Sequence, residues 1–323
     1  MNLLGKRLVI FGCGYIGGEI ARQAVERSAS VVALTRNAEK AEMLRAGGIE
    51  VIIDNLCHDS WHGQIQGKFD FVLNAVSSGG AGIEGYRQSY VEGTASILRW
   101  LAKCGGGGTV VYTSSTSVYP QDGGVEVHES AATTGASERG RVLLEAERLL
   151  REDTGTGILR HFERYFILRL GGIYGPERKH LLEQVRSGSV SGKGENHLNL
   201  IHRDDVCAAI WAVFAAPESV RDEIFNVVDD SPARKDEVVA WLATKLRVPS
   251  PVFSGLPAGA KFGYLHCAKG RSGSIQVPRP TESGTPFLSP FRCSLFARCS
   301  ELPDFDRRPA RDDGLAAPLQ RFG

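Results

Sequence analysis

The strongest constraint on this chain lies in its first 17 residues. Residues 7–11 (Arg-Leu-Val-Ile-Phe) form an apolar run that stops at Gly12-Cys13-Gly14-Tyr15-Ile16-Gly17. Beyond it, Ile16, Ile20, Ala24 and Val25 recur at near-helical spacing. An unalternating apolar run reads as a strand buried on both faces, as in a parallel sheet. A G-x-G-x-x-G turn between such a strand and a helix has a physical purpose. Gly12 permits the tight turn, Gly14 lets a pyrophosphate approach the backbone, and Gly17 lets helix and strand pack closely. The helix N-terminus offers unpaired N–H groups and a positive dipole end to the phosphates. Gly12, Gly14, Tyr15, Ile16 and Gly17 are therefore predicted to bind a dinucleotide cofactor; a ligand-free glycine turn is the plainer alternative.

The same alternation continues along the chain. Apolar runs at 31–34, 49–53, 69–75, 109–113, 165–170 and 224–228 read as strands. Helices fit 38–46, 84–103, 137–152, 203–216 and 234–247. The pattern predicts an α/β fold, a doubly wound parallel sheet with helices on both faces. Gly105 to Gly108 read as a flexible connection into the fifth strand. The expected organisation is a parallel-sheet core over 1–170, then a region of mixed pattern over 171–251 that carries the last strands and helices. An irregular segment over 252–305 and a C-terminal segment over 306–323 follow.

Composition excludes several classes. With 42% hydrophobic and 23% charged residues the chain is not disordered throughout. A formal net charge of +1 gives no general attraction to nucleic acid or to an anionic membrane. No apolar run spans a bilayer and the N-terminus lacks a signal-peptide layout, so a cytoplasmic protein is expected. Seven cysteines, an odd number without C-x-x-C spacing, read as free thiols, and no metal-ligand spacing is present.

The second strand ends Leu34-Thr35-Arg36-Asn37, with no acid to read a ribose 2′-hydroxyl. Arg36 lies 19 residues after Gly17, where an arginine accommodates a 2′-phosphate, so NADP is preferred over NAD. Asp54 closes the third strand and is expected beside the adenine. Asn74 and Ala75 close the fourth, at the edge a cofactor would cross.

Six ordered segments together resemble the extended short-chain dehydrogenase/reductase superfamily, in its NAD(P)-dependent epimerase/dehydratase group. They are 12–17, 74–76, 112–119 (Tyr-Thr-Ser-Ser-Thr-Ser-Val-Tyr), 168–176 (Leu-Arg-Leu-Gly-Gly-Ile-Tyr-Gly-Pro), 199–206 and 225–230. The resemblance implies a seven-stranded Rossmann domain with a small C-terminal substrate lobe. It also implies chemistry by a Ser or Thr hydroxyl with the Tyr and Lys of a Y-x-x-x-K helix. Ser115, with Thr116 beside it, matches the hydroxyl position. The segment Ser137-Glu-Arg-Gly-Arg-Val-Leu-Leu-Glu-Ala-Glu147 aligns with that helix, but Arg139 stands at the Tyr position and Leu143 at the Lys position. A guanidinium stays protonated and leucine carries no charge, so neither replaces its counterpart. Gly172 stands where sugar-nucleotide members commonly carry Asn. The chain thus resembles an atypical branch lacking the motif.

Other residues expected on the substrate side are Tyr119, Arg139, Tyr174 and Arg178. Tyr119 is weighed as an acid/base or a structural residue, and Arg139 as a ligand for a substrate anion or a surface charge. Asp204 or Asp205 is expected to cap the helix after His202. The helices at 84–103 and 137–152 correspond to those of a family homodimer interface. The expected function is an NAD(P)-dependent oxidoreductase or epimerase-like protein acting on a small polar or carbohydrate-like substrate. The alternative is a non-catalytic NADP-binding redox sensor or interaction protein with a degenerate active site.

The end of the chain is of another kind. Ten of its 14 prolines fall from Pro249 onward, where 10 basic residues face 6 acidic ones. Residues 311–317 again resemble the family's closing helix. Two readings of 252–305 stand: an out-of-frame stretch between compensating frameshifts, or a lineage-specific loop.

Overall fold

The computed structural model describes residues 1–78, 82–153, 160–230 and 232–255, together with the backbone of 266–267. Most of the predicted irregular segment at 252–305, and all of the C-terminal segment, lie outside the described residues.

In chain order the first half runs β1 (Arg7–Phe11), α1 (Gly17–Glu26), β2 (Ser30–Thr35), α2 (Ala38–Ala46), β3 (Glu50–Ile53), β4 (Phe69–Asn74), α3 (Gly82–Arg87), α4 (Gly93–Lys103) and β5 (Gly107–Ser115). The second half runs β6 (Glu126–Val127), α5 (Glu138–Arg151), β7 (Phe162–Leu170), β8 (Gly172–Tyr174), α6 (His180–Ser187), β9 (Ser189–Val190), β10 (His197–Leu198), β11 (Leu200–His202), α7 (Arg203–Phe214), β12 (Glu223–Val227), β13 (Ala233–Arg234), α8 (Lys235–Leu246) and β14 (Val252–Phe253).

Seven strands build one parallel sheet in the order β12-β7-β5-β4-β1-β2-β3. This is the doubly wound arrangement read from the sequence. The chain reverses its direction of travel across the sheet between β1 and β4, and ligands of such sheets bind at the carboxyl ends of strands there.

Alternation along each strand feeds two core layers. Leu8 and Ile10 join Ile20, Ala24, Phe71 and Ile210 on one face. Val9 and Phe11 join Trp61, Trp100, Tyr112 and Ile167 on the other. Phe11, Trp61 and Trp100 have ring centroids 5.0 to 5.7 Å apart. A smaller apolar cluster around Val185, Val190, Leu198, Val238 and Leu242 gathers α6, β9, β10 and α8.

Two local expectations are corrected. The helix predicted over 84–103 is interrupted: α3 and α4 are joined by a wider π turn at Gln88–Glu92. Gly107 and Gly108 are part of β5 and not of a flexible loop. A Cβ on Gly108 would collide with the Asp70 carbonyl of the neighbouring strand, so glycine allows the close backbone approach there.

Candidate functional site

The glycine turn sits at the crossover point. Gly12 has φ +90°, and a Cβ there would lie 2.7 Å from the Val76 backbone nitrogen. A Cβ on Gly17 would run into the Gly12 carbonyl oxygen. By contrast, nothing stands within 4 Å of a Cβ built on Gly14. The first and third glycines are forced by the chain itself, and the middle one faces open space. That is the geometry a pyrophosphate needs. Ile16 is the N-cap of α1 and supplies no side-chain cap, while Glu19 sits in the first turn. The Cys13 thiol is buried, and burial pushes it up to about 12, so it is not an anion in the cradle.

The other residues expected on the cofactor side follow the ends of β1 to β4 at the same edge. Gly12 N–H donates to Leu34 O at 3.3 Å and Ala75 N–H to Phe11 O at 2.8 Å, so the three strand ends are mutually fixed. Asn74 is buried; its amide donates to Thr94 Oγ1 at 3.2 Å and its Oδ1 accepts from Val76 N–H. Arg36, just past β2, is exposed and has no ion pair or hydrogen bond among the described residues. Asp54 follows β3, and its carboxylate accepts from Asn55 N–H and Ser60 Oγ.

The residues expected to carry chemistry are placed differently. Ser115 closes β5, half-buried, and its Oγ accepts from Ser117 N–H at 3.2 Å. Its own proton is left to donate. Thr116 is buried and its hydroxyl donates to Leu170 O, which ties it to β7 and away from a ligand. Tyr119, also expected to face a substrate, is only 3% exposed. Its hydroxyl accepts from Arg169 at 2.7 Å and donates to Asn226 Oδ1 at 2.8 Å. Arg169 in turn makes a two-pronged pair with Glu147, at 3.0 and 2.6 Å. Ser114 donates to the same carboxylate at 2.6 Å. The whole network lies beneath α5, and none of these side chains could have been linked from sequence spacing.

Ser137 caps α5 through a bond from Gly140 N–H. A Cβ on Gly140 would approach Ser117 O to 2.8 Å, so this glycine brings the helix against the Ser115 turn. Arg139 is exposed, with its guanidinium 5.6 Å from the Tyr86 ring centroid. Tyr86 and Tyr90 lie 4.5 Å apart, and Ser78 N–H donates to the Tyr90 hydroxyl at 3.3 Å. Burial, then Tyr90, holds the Tyr86 phenol well above its usual range, so it is no base at neutral pH. Leu143 is 1% exposed, packed with Val118, Tyr119 and Val127. An apolar seal therefore occupies the place of the ammonium that would acidify a tyrosine.

On the side expected to face a substrate, Tyr174 ends β8 with its ring 5.2 Å from that of His202. His202 itself caps α7, its Nδ1 accepting from Asp204 N–H at 3.2 Å. This corrects the expected cap: Asp204 and Asp205 already lie in the first turn, where a carboxylate complements the helix dipole instead. The sequence also gave no sign of how Tyr15 is used. Its hydroxyl donates to Pro176 O at 2.6 Å, and the Arg178 and Arg203 guanidiniums lie 4.3 and 5.4 Å from its ring.

Comparison with known proteins agrees with this fold. The model of the NAD dependent epimerase/dehydratase family matches residues 8–227. The chain belongs to this family. Protein YeeZ of Escherichia coli K12 is 26% identical over 257 residues, covering 77% of this chain and 86% of YeeZ. The photosystem II assembly factor Ycf39 of Synechocystis is 30% identical over 98 residues, 30% of each chain. Among solved structures, MoeE5 in complex with UDP-glucuronic acid and NAD has a TM-score of 0.69 at 20% identity, covering 82% of this chain and 89% of that one. The UDP-glucuronic acid 4-epimerase of Bacillus cereus, as a mutant bound to NAD and a fluorinated substrate analogue, has a TM-score of 0.70 at 17% identity, covering 83% and 91%. At these identities the structural likeness establishes the fold alone. No helix among the described residues is long and apolar enough to cross a membrane.

Proposed function

We propose that this protein is an NAD(P)-dependent oxidoreductase or epimerase-like enzyme, with NADP preferred, acting on a small polar or carbohydrate-like substrate. The supporting observation is the glycine cradle, open only at Gly14, with Arg36 on the next strand end and without an ion pair among the described residues. Gly12, Gly14, Tyr15, Ile16 and Gly17 would hold the pyrophosphate, Arg36 the 2′-phosphate, Asp54 the adenosine end, and Asn74 and Ala75 the crossing point. A bound nicotinamide supplies hydride transfer. Ser115 orients the substrate oxygen with its hydroxyl proton, and the exposed Arg139 binds an anionic group of the substrate. The chain is read as cytoplasmic, and as a homodimer through the 82–103 helices and α5.

A second reading is favoured by Leu143. With that position sealed and no phenol at Arg139, the protein would bind NADP without turnover, as a redox sensor or interaction module. Titration with NADPH and NADH, followed by a screen of carbonyl compounds and sugar nucleotides for nicotinamide oxidation, separates the two. Turnover supports the enzyme, saturable binding without turnover the sensor, and absence of binding overturns both.

A further inference from the structure

The turn after β8 is unusually constrained. Gly175 has φ +141°, and a Cβ there would meet Tyr15 Oη at 2.8 Å and His202 Nε2 at 3.0 Å. Glu177, not a glycine, sits at φ +64°, a left-handed conformation that side-chain-bearing residues adopt only under constraint. Arg178 N–H closes the turn on Gly175 O at 3.1 Å. Backbone strain of this kind persists only where surrounding contacts enforce it. Here the enforcing contact is Tyr15, inside the glycine motif, bonded to Pro176 O and stacked beneath Arg178.

Two guanidiniums share that ring, and they differ. Arg203 is half-buried and paired with Asp204 at 3.1 Å. Arg178 is exposed and has no carboxylate partner among the described residues. An unneutralised cation is thus held on the residue next to Gly14, the point left open for a pyrophosphate.

We propose that Arg178 is a cofactor ligand, an arm from the substrate side seated on Tyr15 that closes over the dinucleotide pyrophosphate. The proposal rests on the cofactor reading above and moves Arg178 from substrate to cofactor. A guanidinium can meet two phosphate oxygens at once, and that of Arg178 already lies 4.3 Å from the ring of Tyr15, the residue after Gly14. The turn that borders the substrate would then be fixed by the cofactor, so the cradle fills before the substrate side is complete.

The test is calorimetric titration of the full chain with NADPH and with NADH. NADPH and NADH share the pyrophosphate and differ only at the ribose. Arg178→Ala is expected to weaken both by the same factor, about tenfold, the size of one charged hydrogen bond. Arg178→Glu should weaken both further, and Arg178→Lys should recover part of the loss. Tyr15→Leu should weaken binding, and adding Arg178→Ala to it should add little, because the arm works through the ring. Hydrogen exchange at 174–179 should slow on NADPH binding in the unmodified protein and not in Arg178→Ala. Unchanged affinity in Arg178→Ala, a loss confined to one nucleotide, or equal exchange protection in both proteins would overturn the proposal. If the unmodified protein binds neither nucleotide, the cofactor reading itself fails and this inference goes with it.

Discussion

The cradle around Gly12–Gly17 and the site around Ser115–Leu143 lie along the same sheet edge, yet they have fared differently. In the cradle every constraint is met by backbone: two glycines that admit no Cβ, one that faces open space, and strand ends tied by main-chain bonds. Around Ser115 the framework is equally intact. Ser137 caps α5, Gly140 docks it, and Ser115 closes β5. Only the side chains that would move protons are gone, replaced by an exposed Arg139 and a sealed Leu143. Binding geometry built from main chain tolerates side-chain replacement, whereas proton transfer by a Tyr and Lys pair does not.

The largest effect that would sharpen this contrast is at Gly17. Gly17→Val is expected to abolish nucleotide binding and to lower soluble yield, because its branched side chain meets backbone rather than a yielding neighbour. Calorimetry and soluble expression check this. A variant that folds and binds like the parent would break the reading of the cradle. Next is Leu143→Lys, the attempt to restore the lost ammonium. In a fully buried apolar cluster the uncompensated charge is expected to cost about 3–5 kcal/mol, visible as a fall in Tm with no gain in turnover. A stable, more active Leu143→Lys protein would show the site to be dormant rather than sealed.

Glu147→Gln should cost a comparable or slightly smaller amount, about 3 kcal/mol, by leaving Arg169 buried without its carboxylate. Denaturant unfolding measures it, and nucleotide affinity should be unaffected because the network lies under α5. Arg36→Asp acts only on the cradle: NADPH should bind about tenfold more weakly or worse, with NADH little changed. Equal weakening of both would refute the 2′-phosphate role.

The smallest effect is a pH dependence on the cofactor half. Burial lowers the His62 pKa against the nearby Asp59, with Lys103 and Arg99 adding to the lowering. His62 hydrogen-bonds Ser96 Oγ at 3.0 Å. A histidine depressed on folding contributes stability above its unfolded value of about 6.5, lost as the pH falls through the folded value. The denaturation midpoint should therefore drop between pH 7 and 5, and drop less in His62→Gln.

Much of this was legible in the sequence. The strand, glycine turn and helix of the cradle were readable because glycine spacing and apolar runs report backbone needs directly. Ser115, Arg139 and Leu143 were readable because a missing residue type shows as plainly as a present one. What stayed hidden depends on tertiary contact. Tyr15 and Pro176 are 161 residues apart, and nothing local to either announces their bond. Thr116 and Tyr119 carry plausible hydroxyls, yet packing spends both on the interior. Gly107 and Gly108 looked like loop because glycine runs usually are, whereas strand crowding explains Gly108.

Calorimetric titration of this chain with NADPH and NADH tests most directly whether the cradle binds nucleotide beside a site without the Tyr and Lys pair. Saturable binding of one nucleotide per chain, tighter for NADPH, is the predicted result. No binding of either nucleotide at millimolar concentration would contradict it.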